Sequence, residues 1–165
     1  MKFLRMWLLG ERPSNKRLGS SPEIQVDLEN FYNIYYSGKI YMGSNREQLN
    51  MLYDTGSDWL LCEVHTCETC DDTVYNYADE TATSFSVVTP EERDTIVYGS
   101  QTSVEGFAVR DTVCLLDQAS SCAQDFKWLA IERHEGFYTA FDGVMGMQSG
   151  ADGNTERLYV PYLFD

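Results

Sequence analysis

Positive charge is scarce in this sequence: 12 lysines and arginines stand against 26 acidic residues, a formal net charge of -14. A field of that sign repels phosphate and argues against nucleic acid and anionic membrane surfaces as partners. No apolar run approaches the ~18 residues of a spanning helix, so no membrane span is implied. There is no Asn-x-Ser/Thr acceptor, no internal repeat, no long linker and no low-complexity segment. No amphipathic pattern extends beyond about three helical turns. Only "MKFLRMWLL" has the flavour of an export signal, and Arg5 leaves its apolar part shorter than the usual ~7–15 residues.

What is present is a globular composition, 43% hydrophobic with 11 Tyr and 8 Phe, in 165 residues, about one domain's worth. Charge divides the chain unevenly. Residues 1–20 carry five basic groups (Lys2, Arg5, Arg12, Lys16, Arg17) and one acid, leaving seven basic and 25 acidic groups for the rest. Residues 1–22 therefore read as a basic leader, expected to be a disordered tail or else a cationic element docked on the acidic body. The body, residues 23–165, reads as mainly β. "KIYMG" (39–43), "LNMLY" (49–53), "SFSVV" (84–88), "TIVYG" (95–99), "FAVRDTVCLL" (107–116) and "FKWLAI" (126–131) are short and rich in β-branched or aromatic residues. In the fifth, Phe107, Val109, Asp111, Val113 and Leu115 alternate with Ala108, Arg110, Thr112 and Cys114, the period of a strand with two unlike faces.

Five cysteines remain to be placed: Cys62, Cys67, Cys70, Cys114 and Cys122. "CEVHTCETC" puts three thiols and His65 within nine positions, and a Cys-x2-Cys pair is a common half of a zinc site. No second such pair follows, so disulfides are favoured over metal, and an odd count leaves at least one thiol over.

The stretch "LNMLYDTGSDWLL" is apolar, halts at Asp54, turns on Thr55 and Gly56, and resumes. Glycine permits a tight turn, and the threonine hydroxyl can satisfy backbone groups beside it. A carboxylate at the end of an apolar strand is costly unless it is hydrogen-bonded or does chemistry. Alone, D-T-G is weak evidence and is better explained by an ordinary Asx turn.

The surrounding sequence resembles the pepsin-like aspartic proteases over nearly all of residues 26–165. "YYSGKIYMGSNREQLNMLYDTGSDW" matches the family's strand, polar turn and second strand leading into D-T-G-S. "IVYGSQTSVEGFAVRDTVCL" is similar to its flap hairpin, and "FDGVMGM" (141–147) to its Phe-Asp-Gly, two hydrophobics and Gly behind the active-site loop. The resemblance implies the β-barrel lobe of an acid protease and an aspartic endopeptidase. In that chemistry two carboxylates share a proton and a water, one as base and one polarising the scissile carbonyl. Asp54 would be one of the two. Thr55, Gly56 and Ser57 would shape its loop, with Ser57 hydrogen-bonding the carboxylate, and Tyr98, Gly99 and Ser100 would close over an extended peptide. No cofactor and no metal are implied. The partners are a peptide or protein substrate and a source of the second Asp.

That second Asp is the main departure: no second D-T-G or D-S-G is present, and Asp142-Gly143 and Asp152-Gly153 do not fit. The chain thus resembles the family's amino-terminal lobe alone. Three expectations stand side by side: half of a two-lobed protease, which is favoured; a one-lobed relic that binds peptides without cutting; or a homodimer contributing one Asp per chain. Trp59 also stands closer to Asp54 than the family's tryptophan, placing its bond to the flap tyrosine in question, with Leu60 as an alternative occupant. The crowded cysteines resemble the cysteine-rich plant branch, which implies disulfides among Cys62, Cys67 and Cys70 and between Cys114 and Cys122. By the same resemblance Lys16 or Arg17 would occupy the acidic cleft of a proform, and the location would be secreted, vacuolar or lysosomal.

Overall fold

The computed structural model describes residues 2–9, 23–70, 77–99, 102–136, 141–148 and 156–164. Ten strands and one short α-helix are found there, besides two 3-10 turns at Asp79–Thr81 and Ala119–Ser121: β1 (Lys2–Leu9), β2 (Glu23–Phe31), β3 (Tyr35–Met42), β4 (Glu47–Asp54), β5 (Leu60–Glu63), β6 (Ser86–Val87), β7 (Arg93–Tyr98), β8 (Thr102–Cys114), β9 (Cys122–Glu135), β10 (Gly143–Gly146) and α1 (Tyr159–Phe164). The fold is mainly β, as the strand-like runs require.

Six of these strands form a ring. β3 pairs with β4, β4 with β10, β10 with β5, β5 with β9 and β9 with β8, and β8 returns to β3 through Tyr41↔Cys114 and Met42↔Val113. Closure removes the unpaired edges that an open sheet would expose. The long strands β8 and β9 make closure possible by serving two cores. Val109, Val113, Phe126 and Trp128 join the large cluster around Ile40, Leu49 and Met51, while Val104, Ala108, Leu129 and Ile131 join a smaller one with Trp59, Leu61 and Val144. Register shifts at Glu105/Gly106 and Asp111/Val113 bend β8 between them.

Asp111, on the apolar stripe of β8, is fully buried. It is tolerated because three donors meet it: Tyr77 Oη at 2.6 Å, Ser84 Oγ at 2.5 Å and the Thr112 amide at 2.7 Å. Burial and this bond raise the Tyr77 phenol far above its ordinary pKa, so it stays a donor.

Two expectations are corrected. Residues 2–9, part of the leader expected to be either a disordered tail or an element docked on the body, do not meet the first reading: they form β1, which pairs antiparallel with β2 from Lys2↔Asn30 to Leu9↔Glu23. The physical reason is the otherwise open edge of β2, whose free backbone groups accept a strand. Residues 10–22, with Lys16 and Arg17, lie outside the described residues. The second correction concerns Cys62. Cys67 pairs with Cys70 and Cys114 with Cys122, while Cys62 is a buried free thiol. Strand alternation in β5 aims Cys62 into the large core, whereas Cys67 and Cys70 pack against the smaller one. Burial, then the Asp142, Glu63 and Glu47 carboxylates, hold the Cys62 thiol protonated, well above its usual range.

Candidate active site

β4 answers why a carboxylate ends an apolar run. Its period of two sends Leu49, Met51 and Tyr53 into the large core and leaves Asn50, Leu52 and Asp54 on the opposite face. Asp54 is only partly covered there, at the mouth of the strand. The chain then turns at Thr55 and Gly56, both exposed, and the Gly56 amide donates to Asp54 Oδ1 at 2.9 Å. One oxygen of the carboxylate is thereby fixed by the backbone of its own loop.

β10 locks this loop from behind. It runs parallel to β4, with Gly146 opposite Asp54, and antiparallel to β5, filling the gap between the two strands that the D-T-G loop connects. Three amides reach the loop: Gly146 to Trp59 O at 3.0 Å, Met147 to Asp54 O at 2.8 Å and Gln148 to Ser57 O at 3.0 Å. Glycine is required by proximity. A Cβ on Gly143 would lie 2.1 Å from Leu61 O, and one on Gly146 would lie 2.5 Å from Trp59 O. Asp142 ties the start of β10 to β4, accepting from the Asn50 amide at 2.7 Å and donating its own amide to Asn50 O at 2.9 Å. Phe141 is buried edge-on against Phe31 and Tyr35.

A hairpin of β7 and β8 supplies the cover. Alternation puts Asp94, Ile96 and Tyr98 on its inner face and Arg93, Thr95 and Val97 outside. Tyr98 packs with Leu52 and Ile96 on the smaller core. Its phenol is pushed up to about 12, by burial first and then by the Asp54 and Asp58 carboxylates, so it is neutral. Trp59 fastens the hairpin to the loop, its indole Nε1 donating to Asp94 Oδ2 at 3.0 Å. Arg157 lies 5.0 Å over the Trp59 ring and pairs with Asp58 at 2.5 Å.

Of the residues singled out from sequence, Asp54, Thr55, Gly56, Ser57, Tyr98 and Gly99 fall on this loop and hairpin. Ser100 lies outside the described residues. The expected bond from Ser57 to the carboxylate is not formed: Ser57 Oγ is buried without a hydrogen-bond partner among the described residues, and the Gly56 amide holds Oδ1 instead. Trp59 bonds to Asp94 on the flap strand rather than to the flap tyrosine. Asp94, Asp58 and Arg157 were missed by sequence reasoning. Counting back in twos from Tyr98 along β7 reaches Asp94, but nothing local announces Arg157. Metal-compatible clusters lie elsewhere, at Glu63/Cys70/His134 and at His65/Asp79/Glu80.

A closed β-barrel carrying one loop-held aspartate beneath a tyrosine-tipped hairpin, with a glycine strand wedged behind it, defines a pepsin-like lobe. The family model of the eukaryotic aspartyl proteases matches residues 35–162. The chain belongs to that family.

Proposed function

We propose that this chain is the amino-terminal lobe of an aspartic endopeptidase and that Asp54 is one carboxylate of its catalytic pair. The observation that carries the reading is the placement of Asp54: its Oδ1 is pinned by the Gly56 amide, its strand is backed by β10, and the hairpin that carries the neutral Tyr98 is tied to its loop by Trp59. A second lobe brings the other Asp, because the sequence holds one D-T-G, and Asp58 is committed to Arg157. Two close carboxylates retain one proton between them. The ionised member takes a proton from the bound water as the water attacks the peptide carbonyl, and the protonated member donates to the carbonyl oxygen. No covalent enzyme intermediate forms and no cofactor is needed.

Tyr98, Gly99 and Ser100 close over the peptide, whose backbone pairs with the hairpin as an added strand would. The two disulfides suit an oxidising compartment, secreted, vacuolar or lysosomal. Among the described residues no helix is long and apolar enough to cross a membrane.

The test is acid-pH peptide cleavage by the protein expressed with whatever its transcript encodes beyond Asp165. Pepstatin-inhibited cleavage that Asp54→Asn abolishes, with the fold intact, is expected. Cleavage that survives Asp54→Asn would defeat the assignment, and its absence from every monomeric or dimeric form would leave a one-lobed peptide binder.

A further inference from the structure

We propose that reduction of the Cys67–Cys70 disulfide opens a zinc site formed by the Cys67 and Cys70 thiolates, the His134 imidazole and the Glu63 carboxylate. The donors come from three places. Glu63 ends β5, the two cysteines lie on the loop that follows, and His134 is the penultimate residue of β9.

One ligand atom each from Glu63, Cys70 and His134 lies within 4.8 Å of the others, and Glu63 Oε1 stands 3.7 Å from His134 Nε2. Ligands of one tetrahedral zinc are separated by about 3.3–3.8 Å, so the three need only close slightly on an ion. Cys67, already bonded to Cys70, supplies the fourth position in the Cys-x2-Cys spacing that zinc sites use. Glu63 and His134 are both buried, with 5% of each side chain exposed. A cation bound there would offset part of the cost of burying the Glu63 carboxylate. A mixed sulfur, nitrogen and oxygen set suits this borderline-soft ion.

The site survives loss of the S–S bond because other bonds hold the loop. Thr69 Oγ1 donates to His134 O at 3.0 Å and accepts from the His134 amide at 2.7 Å. The Glu68 amide reaches Glu132 O at 2.8 Å, and the Cys67 amide reaches Val64 O at 2.9 Å. The cysteines are three positions apart, so opening so short a ring releases little chain entropy. Both cysteines are only partly buried, and a cavity of about 270 Å3 lined by Thr69, Ser103, Glu105, Arg133, His134 and Glu135 reaches His134.

The chemistry balances with a dithiol as reductant. Its two thiols close to a disulfide and pass two electrons and two protons to Cys67–Cys70, whose S–S bond breaks to give two thiols. Zinc then displaces both thiol protons to solvent. The trio His65/Asp79/Glu80 is different, since it holds no cysteine and its donor set is the same in either redox state.

The test uses the intact 165-residue chain, oxidised or reduced anaerobically with a trialkylphosphine, which takes up the oxygen of water as it is oxidised. Co2+ titration of the reduced chain is expected to give thiolate-to-cobalt charge-transfer and tetrahedral visible bands at one ion per chain, displaced by Zn2+. The oxidised chain should give none. Glu63→Gln and His134→Asn should each weaken binding at least tenfold, while His65→Ala and the double variant Cys114→Ser/Cys122→Ser should leave it unchanged. X-ray absorption of the zinc-loaded wild-type chain should resolve two sulfur and two lighter ligands, which keeps the donor set testable should a variant fail to fold. Thiolate bands absent after reduction, or retained in Cys67→Ser/Cys70→Ser, or three or four sulfur ligands at the zinc, would overturn the proposal.

Discussion

Replacing Gly146 by alanine tests the closest contact at the active-site loop. The new methyl would meet Trp59 O at 2.5 Å, the Asp58 carbonyl carbon at 2.8 Å and Ser57 O at 2.9 Å. All three are backbone atoms, so no side chain can rotate aside. Reaching an ordinary contact of ~3.4 Å requires the loop to retreat by about 0.9 Å. Overpacking of this kind costs about 1–3 kcal/mol, which for a domain of this size lowers Tm by roughly 2–12 °C. The retreat also strains the Gly146 amide bond to Trp59 O and the adjoining Met147 amide bond to Asp54 O. A shift near 1 Å in a catalytic carboxylate can cost on the order of 100-fold in rate. Urea and thermal unfolding with the disulfides intact measure the first effect, and peptide cleavage by the active form measures the second. Gly99→Ala is the matched control, because nothing lies within 4 Å of its added Cβ. If Gly146→Ala and Gly99→Ala unfold alike, β10 does not press on the loop and the argument fails.

Further outcomes follow from buried groups away from the loop. Tyr77→Phe removes one of three donors to buried Asp111 while keeping the ring packed against Trp128 at 5.8 Å, so the loss should be about 1.5–3 kcal/mol by denaturant unfolding. A change below ~0.5 kcal/mol would show that Asp111 does not depend on this bond. The two histidines should titrate on opposite sides of the ordinary 6.5 in an imidazole NMR experiment: His65 above it, because Asp79 accepts its proton at 2.5 Å, and His134 below it, through burial. Stability from His65 is then complete below pH 6.5 and lost as pH rises through its folded pKa, whereas His134 withdraws stability as pH falls below 6.5. Asp79→Asn should return His65 toward 6.5, and an unmoved His65 would refute the pairing.

Much of this was legible locally. The period of two in "LNMLYD" already sorts Leu49, Met51 and Tyr53 from Leu52 and Asp54, and Gly56 marks the turn, because side-chain alternation and glycine's freedom act within a few residues. The three motifs, in order, carried the family. Pairings between distant segments were not legible. That Trp59 would bond Asp94, 35 residues on, and that Arg157 would cover its ring depend on barrel closure through β3 and β8. That Ser57 Oγ would be buried without bonding the carboxylate, while the Gly56 amide holds Oδ1, shows only in the assembled loop.

The cysteines divide the two levels most clearly. Sequence by itself determined that five thiols could not all pair and that Asp54 would sit on a glycine turn at the end of a strand. Tertiary structure decided which cysteine stays single, since the two faces of β5 look into different cores and Cys62 faces the one that holds no other thiol. It also decided that Glu63 and His134, 71 positions apart, share a buried corner beside Cys70. A spacing along the chain fixes direction over a turn or a strand; only the register of β5 on β9 can set two remote side chains at 3.7 Å.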